Sequence, residues 1–164
     1  MTRLRLPLVD ARGDAELVDE PIYPAEFEPL SPQALLAAPG TLVVVAGLRA
    51  GRQRAAAAFV RVLEEAGIRV NRVEASSGMA AHAELVGAVE ASAARSEVVV
   101  ADGNVWLGLY RATLSVLVSG TGTRADRALQ RLRGRADVEV DQLSPELVAA
   151  LASVVARVAS ARRG

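Results

Sequence analysis

The stretch Ala46-Gly47-Leu48-Arg49-Ala50-Gly51-Arg52-Gln53 joins a β-branched apolar run to an alanine-rich one. A loop that cradles phosphates needs glycines for a tight nest of N–H groups, a lysine on the terminal phosphates, and a hydroxyl on magnesium. The placement and Gly51 fit that requirement. Ala46 replaces the leading glycine, Arg52 stands in for the lysine, and Gln53 for the hydroxyl. Arginine neutralises phosphate charge, but its planar fork does not occupy the point-charge position of lysine. Gly47, Arg49, Gly51, Arg52 and Gln53 are therefore the candidate contacts of a phosphate loop. Arg49, Arg52 and Arg54 also crowd a predicted helix start, where the macrodipole disfavours each cation by a few tenths to about 1 kcal/mol. A phosphate, or a carboxylate from a partner or from the acidic N-terminus, offsets that cost; otherwise the side chains fan into solvent.

A second feature is Val98-Val99-Val100-Ala101-Asp102-Gly103-Asn104, a buried run ending in an acid. An aspartate there either holds magnesium, as in nucleotide hydrolases, or caps the following turn, as Asp before Gly commonly does. Glu74, at the end of another strand, is a better general-base candidate than the lone His82, which reads as partly exposed surface. Trp106 and Tyr110 lie among leucines and read as core or interface. The third feature is Ser119-Gly120-Thr121-Gly122-Thr123-Arg124-Ala125, a G-x-G-x-x-A turn after an apolar run. Asp141 follows at about the 20-residue spacing of a ribose-binding acid. Gly120, Gly122 and Asp141 thus form a dinucleotide or mononucleotide half-site as one alternative, and a Gly-Thr-rich turn as the other. The run from Arg124 to Arg135 grips an acidic partner or, more plainly, forms a solvated face.

These residues need elements to carry them. Residues 1–39 hold most of the prolines and an acidic run, and read as an extended arm with one helical turn near 31–36. Ile22, Tyr23, Phe27 and Leu30 pin it to a surface. Residues 40–164 alternate strands and helices: strands at 42–46, 68–73, 97–101, 114–118 and 138–140, the last near an edge, and helices from Gly51 to 66, over 80–94, over 124–133, and from 144 onward. The expected inward faces are Ala58, Phe59, Val62, Leu63 and Ala66 on the first helix, and Leu85, Val86 and Val89 on the second. On the last helix they are Leu147, Val148, Leu151, Val154, Val155 and Val158. Such alternation predicts a doubly wound, mainly parallel sheet with helices on both faces. Ligands of such a sheet sit at the carboxyl ends of its strands.

Composition narrows the chemistry. With no cysteine, thiolate metal sites and cysteine nucleophiles are excluded. One histidine rules out a multi-histidine metal centre, and all 19 basic residues are arginine, which excludes a P-loop lysine and a Schiff base. Aromatics at 3% remove the stacking platform of a single-strand nucleic-acid binder, and zero net charge argues against a generic DNA or membrane surface. Met1 to Pro7 lacks an apolar run behind its arginines and does not read as a signal peptide, so a cytoplasmic location is expected.

The order of strand, P-loop-like turn, helix, Val-Val-Val-Ala-Asp102-Gly103-Asn104, Thr113 to Val118, and Arg135 to Asp141 resembles P-loop NTPases of the adaptor and small-kinase type. The molybdopterin-guanine dinucleotide biosynthesis adaptors and dethiobiotin synthetases are the groups it is similar to, over residues 40–143. The resemblance implies a P-loop NTPase-like fold, with ATP or GTP and Mg2+ as ligands, Asp102 on the metal, and Asp141 or Gln142 where a base-reading asparagine stands. The departures fall on the lysine and the magnesium hydroxyl. They imply a degenerate, non-hydrolysing subunit that self-associates or pairs with a P-loop partner. The alternatives are an ATP- or GTP-dependent small-molecule kinase or ligase using Arg52, and an NAD(P)-binding or mononucleotide-binding protein using Gly120 to Ala125.

Overall fold

A computed structural model describes residues 35–75, 82–120 and 129–163. The acidic arm before Leu35, the Ser76 and Ser77 cap positions and the Gly122–Arg124 turn with most of the helix after it lie outside the described residues. In chain order the elements are β1 (Leu36–Ala37), β2 (Thr41–Gly47), α1 (Arg49–Glu65), β3 (Val70–Glu74), α2 (His82–Ala93) and β4 (Val98–Asp102). A 3-10 turn (Asn104–Gly108), β5 (Tyr110–Arg111) and β6 (Leu114–Val118) follow. Another 3-10 turn (Gln130–Leu132), β7 (Val138–Val140) and α3 (Pro145–Arg163) are the last of the described elements.

Five strands form one sheet in the order β3-β4-β2-β6-β7, and every pairing is parallel. The three central strands are the valine-rich runs, and all seven residues of β2 are buried. Unbroken β-branched runs suit a strand covered on both faces, so these sequences seek the middle. One face packs Val43, Val45, Val98, Val100 and Val116 under Phe59 and Leu63 of α1 and Val148 and Val155 of α3. The other packs Val44, Val99 and Leu117 under Leu85 and Val89 of α2, Trp106 and Tyr110 of the β4-to-β6 crossover, and Leu129 and Leu132. The expected parallel sheet with both faces covered is present, and β7 does form an edge.

Boundaries differ in instructive ways. Leu36, expected in a helical turn, instead begins β1, a two-residue strand parallel to β5. Helix α1 starts at Arg49, ahead of Gly51, and runs to Glu65. Its end is as expected: Gly67 has φ +84°, its N–H donates to the Glu64 carbonyl, and the Ile68 N–H donates to that of Leu63. That is the 5→2 and 6→1 pattern that a glycine at this position permits. The inward stripe of α1 is rotated toward Arg52, Ala55, Ala56, Phe59 and Leu63. On α3 the buried stripe is Val148, Ala152, Val155 and Ala159, while Val154 is 47% exposed. Small alanines let α3 approach α1 closely, so a stripe drawn from the larger residues alone misplaced Val154.

Trp106 and Tyr110 are both buried, with ring centroids 6.4 Å apart. Among the described residues the Tyr110 hydroxyl has no hydrogen-bond partner, and burial, then the nearby Glu90 charge, push its pKa above the ordinary tyrosine value. A raised folded-state pKa means the native state keeps its proton where the unfolded chain loses it. Stability therefore falls as pH rises beyond the usual tyrosine value of about 10. Tyr110→Phe is expected to abolish that part of the alkaline loss, and to leave neutral-pH stability unchanged or higher by about 1 kcal/mol, since no hydrogen bond is surrendered. Urea melts of both proteins at neutral and alkaline pH measure the two effects.

Candidate functional site

The site begins with strand order. Because β4 lies directly beside β2, Asp102 pairs in register with Val45, two residues before β2 ends. On the far side of β4, β3 brings Glu74 into register with Asp102. Side chains alternate along a strand, so Asp102 follows Val98 and Val100 onto the face covered by α1. Arg72 and Glu74 follow Val70 to the same side.

Helix α1 then begins almost at once. Only Leu48, with φ −72° and ψ 146°, separates the last residue of β2 from Arg49. The first turn closes when the Arg52 N–H donates to the Leu48 carbonyl at 2.9 Å. The N-cap residue, Leu48, makes no side-chain capping bond, and no acid occupies the first turn. Gly51 and Gln53 are thus residues of the helix. Arg49 and Ala50, which would belong to a wrapping loop, are helical too. At the strand end, the Gly47 N–H is taken by the Asn104 side-chain oxygen at 2.8 Å, inside the core.

The early start aims Arg52 at β4. Its Nε donates to Asp102 Oδ1 at 2.6 Å, and its Nη1 to the Gly47 carbonyl at 3.4 Å. Both side chains are almost fully out of water, at 5% and 0% exposure. The second carboxylate oxygen of Asp102 accepts Nη2 of Arg72, also at 2.6 Å. That same Nη2 reaches Glu74 Oε2 at 3.4 Å, and Gln53 Nε2 donates to the same oxygen at 3.3 Å. The result is one chain of contacts, Arg52–Asp102–Arg72–Glu74–Gln53, with two positive and two negative groups.

This arrangement answers the electrostatic question posed by the arginine-rich helix start. Among the described residues, the anion that receives Arg52 is Asp102 of the neighbouring strand. It also bears on magnesium and nucleotide. Each Asp102 oxygen already accepts a guanidinium donor at a charge-assisted distance, and those two cations oppose a third positive charge at the same carboxylate. Among the described residues, no three His, Asp or Glu side chains converge as a metal-binding group. The donor set therefore does not fit a resident Mg2+. Glu74, considered as a general base, shares one oxygen between Arg72 and Gln53, and its side chain is half exposed. His82 opens α2.

The other candidate loop sits on the opposite flank of β2. Gly47 pairs in register with Val118 of β6. Beyond it, the Ser119 N–H donates to the Val140 carbonyl and the Gly120 N–H to that of Asp141. The Ser119 hydroxyl donates to Asp141 Oδ1 at 3.1 Å. Gly120 and Asp141 are thus brought together, but by bonds to each other's segment. Gly122 is outside the described residues. Between this corner and α1 opens a cavity of about 530 Å3, lined by Leu48, Gly51, Arg54, Val118, Asp141 and Gln142 among others.

Sequence reasoning placed Arg52, Gln53, Glu74 and Asp102 at one edge, and the structure brings all four together. It missed Arg72, the second guanidinium on Asp102. The available signal was the two-residue spacing of Arg72 and Glu74 on the strand beside the buried acid. Compared with family models, curated protein sequences and solved structures, the chain gives no match.

Proposed function

We propose that this chain is a P-loop-like α/β domain that has given up nucleotide hydrolysis and acts as a structural or regulatory subunit, self-associating or pairing with a P-loop partner. The observation carrying this reading is the closed ion-pair chain on Asp102. The two residues that would serve phosphate and metal, Arg52 and Asp102, are spent on each other at 2.6 Å. The short β2–α1 connection points the same way, because it leaves a single residue where phosphates need a wrapping loop. A kinase or ligase using Arg52 in place of lysine would have to separate this buried pair before binding substrate. Breaking a buried pair costs about 3–5 kcal/mol. The test is ATP and GTP turnover by the purified chain with Mg2+, beside Arg52→Ala. The expected result is no turnover by either protein; turnover by the wild type that Arg52→Ala abolishes would overturn the proposal.

A further inference from the structure

The cavity between α1 and the β6 and β7 ends lies where chain direction switches. After β2 the chain passes into α1 on one face of the sheet. After β6 it returns to the opposite face, where Leu129 and Leu132 are buried. In open parallel sheets, such a switch between neighbouring strands opens a crevice at their carboxyl ends, and small molecules bind there. The volume, about 530 Å3, is within the range of small-molecule sites.

Its chemistry is two-sided. Its apolar lining includes Leu48, Ala55, Val118 and Val148. Arg54 stands on the α1 wall, and among the described residues its guanidinium has no hydrogen-bond or ion-pair partner. From the end of β7 comes Asp141, held in place through Oδ1 by the buried Ser119 hydroxyl. A purely anionic ligand meets Asp141 as a like charge, and a purely cationic one meets Arg54. A molecule carrying both charges beside an apolar group meets a complementary partner for each charge. We infer that this crevice binds a small zwitterion with an apolar body, the chemistry shared by free hydrophobic amino acids and short apolar peptides. The site is on the other flank of β2 from the Arg52–Asp102 pair, so it goes beyond the non-hydrolysing reading and does not depend on it.

The experiment is a calorimetric titration of the whole chain in EDTA without nucleotide, using L-phenylalanine and the dipeptide Leu-Leu as probes. 2-Phenylethylamine and 3-phenylpropionate, each carrying one of the two charges, serve as controls. The expected result is saturable binding of one zwitterion or both, and which binds identifies the source. Each single-charge control is expected to bind about tenfold weaker or less, the loss of one charged contact. Arg54→Gln should erase the preference over the amine, Asp141→Asn the preference over the acid, and Ala58→Trp, filling the cavity, should abolish binding. Absence of saturable binding by both zwitterions, or binding untouched in a folded Ala58→Trp protein, overturns the inference. Neither outcome alters the nucleotide-turnover result.

Discussion

Asp102→Ala is expected to destabilise the domain by about 3–5 kcal/mol, the cost of removing one partner from a buried ion pair. For a chain of this length that is a fall in Tm of roughly 6–20 °C. It is also a large share of the total stability of about 5–15 kcal/mol that such domains have. The reason is geometric. Removing the carboxylate takes the buried counter-charge from two guanidiniums at once, and they differ in what they can do next. Arg72 keeps 29% of its side chain exposed and can turn to water or to Glu74. Arg52, at 5%, cannot rehydrate without unwinding the first turn of α1. The order of damage should therefore be Asp102→Ala, then Arg52→Ala, then Arg72→Ala. In the second variant Asp102 still holds Arg72, and in the third it still holds Arg52.

A paired replacement separates charge from shape. Arg52→Met with Asp102→Leu removes both buried charges and leaves apolar groups of similar bulk. Replacements of this kind are often neutral or stabilising by about 1–4 kcal/mol. The double variant should therefore recover most of the stability lost in Asp102→Ala, as read by urea denaturation and circular dichroism. If Asp102→Ala instead costs under about 1 kcal/mol, the pair behaves as a solvated surface bridge. The claim that it locks the β2–α1 corner then fails. Because the lock is also what supports the non-hydrolysing reading, the melt and the turnover assay probe one structural idea through independent signals.

What the sequence disclosed followed from how each feature is encoded. Val43, Val44 and Val45, with Val98, Val99 and Val100, announce buried strands by composition alone, because no polar alternation interrupts them. Gly67 announces the end of α1 because only the left-handed region suits that turn. The start of α1 was misread for a related reason. Leu48 is no capping residue, and Gly51 resembles loop punctuation, so nothing local signalled that helix would begin at Arg49. What decided it was tertiary: Arg52 reaches Asp102 only if the first turn has already closed. Arg72 was invisible for a similar reason. In the sequence it is one polar residue in an alternating strand; its importance arises from the adjacency of β3 and β4, which strand composition does not specify. The acid at the end of β4 was legible, whereas its two partners needed the order of the sheet.

Gly47→Ala should rank beside Asp102→Ala in effect, through backbone and packing instead of charge. Gly47 ends β2 with φ +134°, and a Cβ there would lie 2.0 Å from the Val118 carbonyl oxygen of β6. That contact is with backbone in a central strand, so no side-chain rotation relieves it. The unfavourable conformation costs about 1–3 kcal/mol, and overpacking a rigid neighbour adds about 1–3 kcal/mol. A loss of about 2–6 kcal/mol is therefore expected. Gly87→Ala supplies the contrast within the same protein. It lies exposed inside α2, with nothing within 4 Å of an added Cβ. There, alanine should stabilise by about 0.4–1 kcal/mol, by restricting the unfolded chain and favouring helix. Opposite signs for the two substitutions, measured by urea denaturation, would tie the β2 end to close approach of β6. Equal, small effects would mean that β2 and β6 separate readily at their carboxyl ends. The corner shared by the ion-pair chain and the crevice would then be far looser than the Gly47–Val118 register requires.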